Sequence, residues 1–97
     1  MAFWVYILKC SDGSYYTGHT DDLEKRLWQH ENCDEYSYVS IRRPFTLVFS
    51  ESFNSRIEAL ESERRIKGWS RKKKEALIRR DWEEISRLSK SHKDKSQ

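Results

Sequence analysis

At 97 residues the chain has room for one small domain, and with 13% of its residues aromatic it is no disordered polyelectrolyte, because such rings bury enough surface to offset the entropy of ordering. The formal net charge of +3 hides segregation: Arg64, Arg65, Lys67, Arg71, Lys72, Lys73 and Lys74 form a basic block, whereas Asp21, Asp22, Glu24, Glu31, Asp34 and Glu35 gather upstream, a division that suits a polyanionic partner or a solvated helical face. Cys10 and Cys33 are too few for a disulfide framework, no segment reaches the roughly 20 apolar residues of a membrane span, and Met1 to Leu8 lacks the basic start of a signal peptide, so the expected compartment is the cytoplasm.

Phe3 to Cys10 is apolar at almost every position and predicts a strand covered on both faces. Ser11-Asp12-Gly13 is turn chemistry, and Tyr15 to His19 returns as a second strand. A two-residue turn would send Tyr6 and Tyr16 to opposite faces. A three-residue loop with Gly13 left-handed pairs Leu8 with Tyr16 and makes Tyr6 and Tyr16 diagonal neighbours on one face, which is the register expected here. Asp21-x-x-Glu24 resembles a capping box for a first helix with Leu23, Leu27 and Trp28 as its apolar stripe, and Arg26 and His30 one turn apart. Asn32 to Ser40 reads as a loop, and Thr46 to Phe53 as a third strand with Leu47, Phe49 and Phe53 alternating. Ser55-x-x-Glu58 caps a second helix to about Lys67, with Ile57, Ala59, Leu60 and Ile66 facing inward. Ser70 caps a third through about Arg79, and Asp81-x-x-Glu84 opens a fourth. The expected division is a domain over residues 1–90 and a disordered polar tail over 91–97.

Glu63 lies inside the apolar stripe of the second helix, where an unpartnered carboxylate is costly. A salt bridge to a nearby arginine, a protonated core carboxyl, or ligation of a hard cation would each resolve it; one carboxylate with waters and phosphate oxygens is an ordinary Mg²⁺ site. Arg26 suits an i,i+4 pair with Asp22 or, aimed at the hairpin, bidentate contact with a phosphate. His30 suits a partner for the helix C-terminus or a proton carrier near neutrality. Tyr6 and Tyr16 read first as core residues. As a base, Tyr6 would need its pKa lowered by Arg26 and a metal, or a concerted transfer that passes the phenol proton to His30. Cys10, His19, His30 and Cys33 match the spacing of no compact zinc site.

Taken together, VYILKCSDGSYYTGHTDDLEKRLWQH, RRPFTLVFSESF and EALESERRIKGWSRKKKEALI, in this order, resemble the GIY-YIG nuclease superfamily, and more narrowly its small stand-alone bacterial members of the UPF0213 kind. The resemblance covers about Phe3 to Leu88. It implies an α/β fold: a small three-stranded antiparallel sheet flanked by helices. It also implies that Tyr6 is the general base, Tyr16 the tyrosine of the second motif, Arg26 the catalytic arginine, His30 the histidine one turn on, and Glu63 the ligand of a single Mg²⁺ or Mn²⁺ ion. The implied reaction is hydrolysis of a phosphodiester by in-line attack of water. Nucleic-acid contacts are expected at Gly18, where close backbone approach is wanted, and at Tyr38, Arg42, Arg43, Arg64, Arg65, Lys67, Arg71, Lys72 and Lys73. The chain departs from the pattern at Trp4-Val5, which stands for Gly-Ile, at Thr17, which stands for Ile, and at Tyr38-Val39-Ser40, where many small members have Tyr-Thr-Arg.

The expected activity is a divalent-metal-dependent endonuclease acting on DNA, structure-selective or engaged in repair or processing. RNA is the other candidate substrate, and a protein partner would supply specificity that the chain has no second domain to provide. The alternative is a nucleic-acid-binding module with a dormant site, working through the Arg64–Lys74 block.

Overall fold

The structure, a computed structural model, describes residues 2–32 and 42–95, with 89–95 as backbone. In chain order the elements are β1 (Phe3–Cys10), β2 (Tyr15–Thr20), α1 (Leu23–Asn32), β3 (Phe45–Phe53), α2 (Arg56–Lys67), α3 (Arg71–Ile78) and α4 (Trp82–Lys95). They divide into two compact units, Met1–Lys67 and Gly68–Gln97. The first unit holds the sheet, α1 and α2; the second holds α3 and α4.

The sheet is antiparallel in the order β2-β1-β3, so β2 is an edge strand. The hairpin loop has three residues: the Cys10 N–H donates to the Ser14 carbonyl at 2.9 Å, and Gly13 takes a φ of 85°, a left-handed conformation that glycine adopts without steric cost. That loop length sets the pairing Leu8 with Tyr16 and Tyr6 with Gly18. Tyr6 and Tyr16 therefore share a face, with Leu23 and Leu27 of α1 and Phe45 packed over it. Val5 and Ile7 point the other way, and α2 covers that side with buried Ala59 and Ile66. All four residues from Val5 to Leu8 are fully buried, as a strand enclosed on both faces requires.

Several details differ from the sequence reading. Asp22, not Asp21, caps α1, accepting the Lys25 N–H at 3.1 Å, because Thr20 bonds the Asp22 N–H and moves the first turn along by one residue. Trp28 is 61% exposed, since Leu23, Leu27 and His30, spaced by four and three residues, already fill the inward stripe. Ile57 is 70% exposed because the buried positions of α2 are Ala59, Glu63 and Ile66, about half a turn away around the helix. On β3 the alternation breaks: Ile7 pairs with Phe49 but Leu8 with Leu47, so Val48 is an extra residue and Leu47 lies on the opposite face from Phe49. Ser55 does cap α2, bonding both the N–H and the carboxylate of Glu58.

In the second unit Ser70 caps α3, and Asp81 caps α4 through the Glu84 N–H. Between them the chain reverses through Arg80 at a φ of 57°, with the N–H groups of Arg80 and Asp81 satisfying the Leu77 and Ala76 carbonyls. α4 runs to Lys95.

Candidate active site

The α1 face of the hairpin carries a cluster of rings. Tyr6 and Tyr16 have centroids 6.2 Å apart, and His30 lies 5.9 Å from Tyr6 and 5.6 Å from Tyr16, edge-on to the latter. The Tyr6 hydroxyl is 3.0 Å from His30 Nε2. His30 reaches it because α1 turns its last inward position toward the sheet, where the imidazole is buried against Phe45. The helix is tied there: Arg43 Nε donates to the His30 carbonyl at 2.7 Å.

Burial, together with the positive charges of Arg26 and Arg43, holds the His30 pKa below its ordinary value. A neutral imidazole results at pH 7, with a ring nitrogen able to accept from the phenol. Tyr6 moves the opposite way from what a free phenolate base requires. Burial raises its pKa to about 12, with Tyr16 and Glu63 adding to the rise, while a hydrogen bond from Arg26 and its charge oppose it. Of the two contributions expected to lower the Tyr6 pKa, Arg26 and a metal ion, the guanidinium by itself is outweighed by desolvation.

Gly18 is required for a reason nearer home than nucleic acid. A Cβ built there would stand 2.7 Å from the Tyr6 hydroxyl oxygen and 3.1 Å from a ring carbon of Tyr16, so the glycine makes the space in which Tyr6 lies across β2. The next residue, His19, pairs with Val5 and faces the α2 side. Its Nδ1 is 2.9 Å from Glu63 Oε1. Glu63 is 8% exposed, and its second oxygen lies 3.6 Å from Lys67 Nζ, so the partners of this carboxylate are a histidine and a lysine rather than the expected arginine. Tyr6 over Gly18 and Glu63 on His19 thus occupy the two sides of adjacent residues on the edge strand, close enough for the carboxylate to act on the phenol.

The donor set suits a hard cation. Glu63 offers one carboxylate fixed by a hydrogen bond at Oε1, and Mg²⁺ or Mn²⁺ is commonly held by one such group with waters and phosphate oxygens completing the shell. Among the described residues no cluster of three or more His, Cys, Asp or Glu forms a dedicated protein cage.

The other expected contacts divide. Arg42 clamps the hairpin loop, donating to Asp12 at 2.9 Å while its carbonyl accepts from the Ser11 N–H. Arg43 positions His30. Arg64 and Arg65 are exposed on α2. Arg71 pairs with Glu75 on α3, Lys72 is exposed, and Lys73 lies 4.3 Å over the Trp69 ring in the second unit. Tyr38 lies outside the described residues. What sequence reasoning missed is the role of His19, weighed only as a zinc ligand. The signal was the two-residue period of β2, which turns the neighbour of Gly18 away from Tyr6 and toward the helix carrying Glu63.

A family model described as the GIY-YIG catalytic domain matches residues 2–76. The chain is 49% identical over 75 residues to a UPF0213 protein of Staphylococcus saprophyticus, covering 77% of this chain and 92% of that one. It is likewise 49% identical over 74 residues to a UPF0213 protein of Halobacterium salinarum, covering 76% and 96%. The solution structure of a UPF0213 protein from Bacillus halodurans superposes with a TM-score of 0.56 at 40% identity, over 92% of this chain and 98% of that one.

Proposed function

Given that the chain belongs to the GIY-YIG catalytic domain family, we propose that it is a divalent-metal-dependent nuclease hydrolysing phosphodiester bonds of DNA. The observation that carries this reading is the Tyr6 hydroxyl, hydrogen-bonded to a neutral buried His30 and touched by Arg26, across one residue of edge strand from the buried carboxylate of Glu63.

With a pKa raised to about 12, Tyr6 is a poor base as a free phenolate at pH 7. A relay avoids forming that anion. Tyr6 is fully buried, so substrate binding must first part the side chains over its hydroxyl. As water then attacks phosphorus, its proton passes to the Tyr6 oxygen while the Tyr6 proton passes to His30 Nε2, leaving a phenol and an imidazolium. Arg26 is exposed, and its guanidinium, which bonds Tyr6 and Gln29, suits the phosphoryl oxygens as their charge grows. Glu63 would hold one Mg²⁺ or Mn²⁺ ion, which when bound supplies Lewis-acid polarisation of a phosphoryl oxygen. The leaving oxygen takes its proton from solvent.

The test is cleavage of supercoiled plasmid and of branched DNA at varied Mg²⁺ and Mn²⁺, with wild type against Glu63→Gln and His30→Ala. Loss of nicking in both variants is expected. Equal cleavage by all three proteins would overturn the site. The raised Tyr6 pKa favours one second reading, a nucleic-acid-binding module with a dormant site. It predicts salt-sensitive binding that survives Glu63→Gln, with no nicking at any metal concentration.

A further inference from the structure

The two oxygens of Glu63 are engaged unequally. His19 Nδ1 meets Oε1 at 2.9 Å, a full hydrogen bond. Because an ionised carboxylate has no proton to donate, the bond requires that His19 carry its proton on Nδ1. The backbone that carries the ring is held by the ladder, since His19 pairs with Val5 in the sheet. Lys67 Nζ stands 3.6 Å from Oε2, beyond good hydrogen-bond length, and its side chain is 53% exposed against 10% for Glu63. One partner is close and carried on a paired strand; the other is a long, solvated cation one helical turn along.

A carboxylate this buried needs positive charge beside it. Lys67 is the cation next to Oε2. A divalent ion on the same oxygen would do the same electrostatic work and leave the ammonium without that role. We propose that His19 is a positioning residue that locks Glu63 through Oε1, and that Lys67 is an exchangeable counter-cation which a divalent ion displaces from Oε2. The inference rests on the reading of Glu63 as a metal ligand and adds what the surrounding residues do to its affinity. His19 preorganises the ligand and tightens binding; Lys67 competes and weakens it.

Direct Mn²⁺ binding to the full chain, followed by the loss of the free-ion electron paramagnetic resonance signal, separates these roles without reference to cleavage. His19→Ala should loosen Mn²⁺ by about tenfold or more, the usual cost of removing a partner from behind a ligand. Lys67→Met should tighten it by roughly three- to tenfold, and Lys67→Arg, which keeps the charge, should stay near wild type. A purely structural role for either residue would move the thermal midpoint but not shift Mn²⁺ affinity in opposite directions. Lys67 is largely exposed, so that arm survives even where His19→Ala unfolds. If Glu63→Gln abolishes binding while His19→Ala and Lys67→Met both match wild type, the inference fails and the reading of Glu63 stands. If Glu63→Gln binds Mn²⁺ as wild type does, that reading and the inference fall together.

Discussion

The Tyr6 hydroxyl is where burial and chemistry pull against each other. Enclosure between α1 and the sheet raises its pKa to about 12, and the same enclosure lowers that of His30. Both shifts keep the pair uncharged, which is the state a concerted relay needs at pH 7. Cleavage should therefore fall on the acid side only at a pH below the ordinary histidine range, as His30 takes a proton and can no longer accept one, and His30→Ala should remove that limb along with about 10²-fold or more of rate. A pH–rate profile of both proteins tests this; an acid limb that persists unchanged in the variant would sink it. Stability carries the same signs. Below pH 6.5 the unfolded chain gains a proton on His30 that the native state resists, and above pH 10 it loses one from Tyr6 that the native state keeps until about 12, so denaturation midpoints should decline in both windows. Thr17 offers a cleaner residue-level test. Among the described residues its buried hydroxyl has no hydrogen-bond partner, so Thr17→Val should stabilise by about 1 kcal/mol, a rise of several degrees in melting temperature for a domain of this size. Much of this site is legible in the chain: Glu63 stood out as a carboxylate in an apolar stripe, and Arg26 and His30 as a one-turn pair. The direction of the Tyr6 shift was not: the strand pattern marks Tyr6 as buried, but whether desolvation or Arg26 prevails depends on the depth of burial, which has no local signature.

At the level of elements, the hairpin loop decides whether the rings meet. A loop of odd length puts Tyr16 on the face of Tyr6, and the glycine needed for that loop is visible in the sequence, which is why the register could be read before the fold. The bulge at Val48 could not, since no glycine or proline marks it. Gly13 makes the loop testable in isolation. No atom lies within 4 Å of a Cβ built there, so Gly13→Ala carries only the backbone cost of a left-handed alanine, about 1 kcal/mol, and should leave cleavage intact once the protein is folded. Gly18→Ala differs in kind. Its Cβ would meet the Tyr6 hydroxyl, so overpacking of roughly 1–3 kcal/mol should come with displacement of Tyr6 and loss of activity even where the fold survives. Chemical denaturation beside a nicking assay distinguishes the two; a fully active Gly18→Ala protein would break the link between that glycine and the site.

Across the whole chain, the basic block of the sequence resolves into residues with different commitments. Lys67 neutralises Glu63, Arg71 pairs with Glu75 and Lys73 rests on Trp69, while Arg42, outside the block, braces Asp12. Arg64 and Arg65 in the first unit and Lys72 in the second are exposed and make no ion pair among the described residues. Binding to a polyanion draws on cations that can exchange water and counterions for phosphate, so these three should carry the salt dependence while the engaged ones contribute mainly through local structure. Each phosphate contact removed lowers the slope of log K against log salt by about 0.9 on duplex DNA. Arg64→Gln with Arg65→Gln should therefore flatten the slope by about 1.8, and Lys72→Gln by about 0.9, at unchanged stability. Arg42→Gln should do the reverse, holding the slope and lowering the melting temperature, because it removes the clamp on the hairpin loop. Fluorescence anisotropy of a labelled duplex over a salt series reads all of them. A slope insensitive to Arg64, Arg65 and Lys72 would move the nucleic-acid contact away from the basic block and onto the ring cluster around Tyr6.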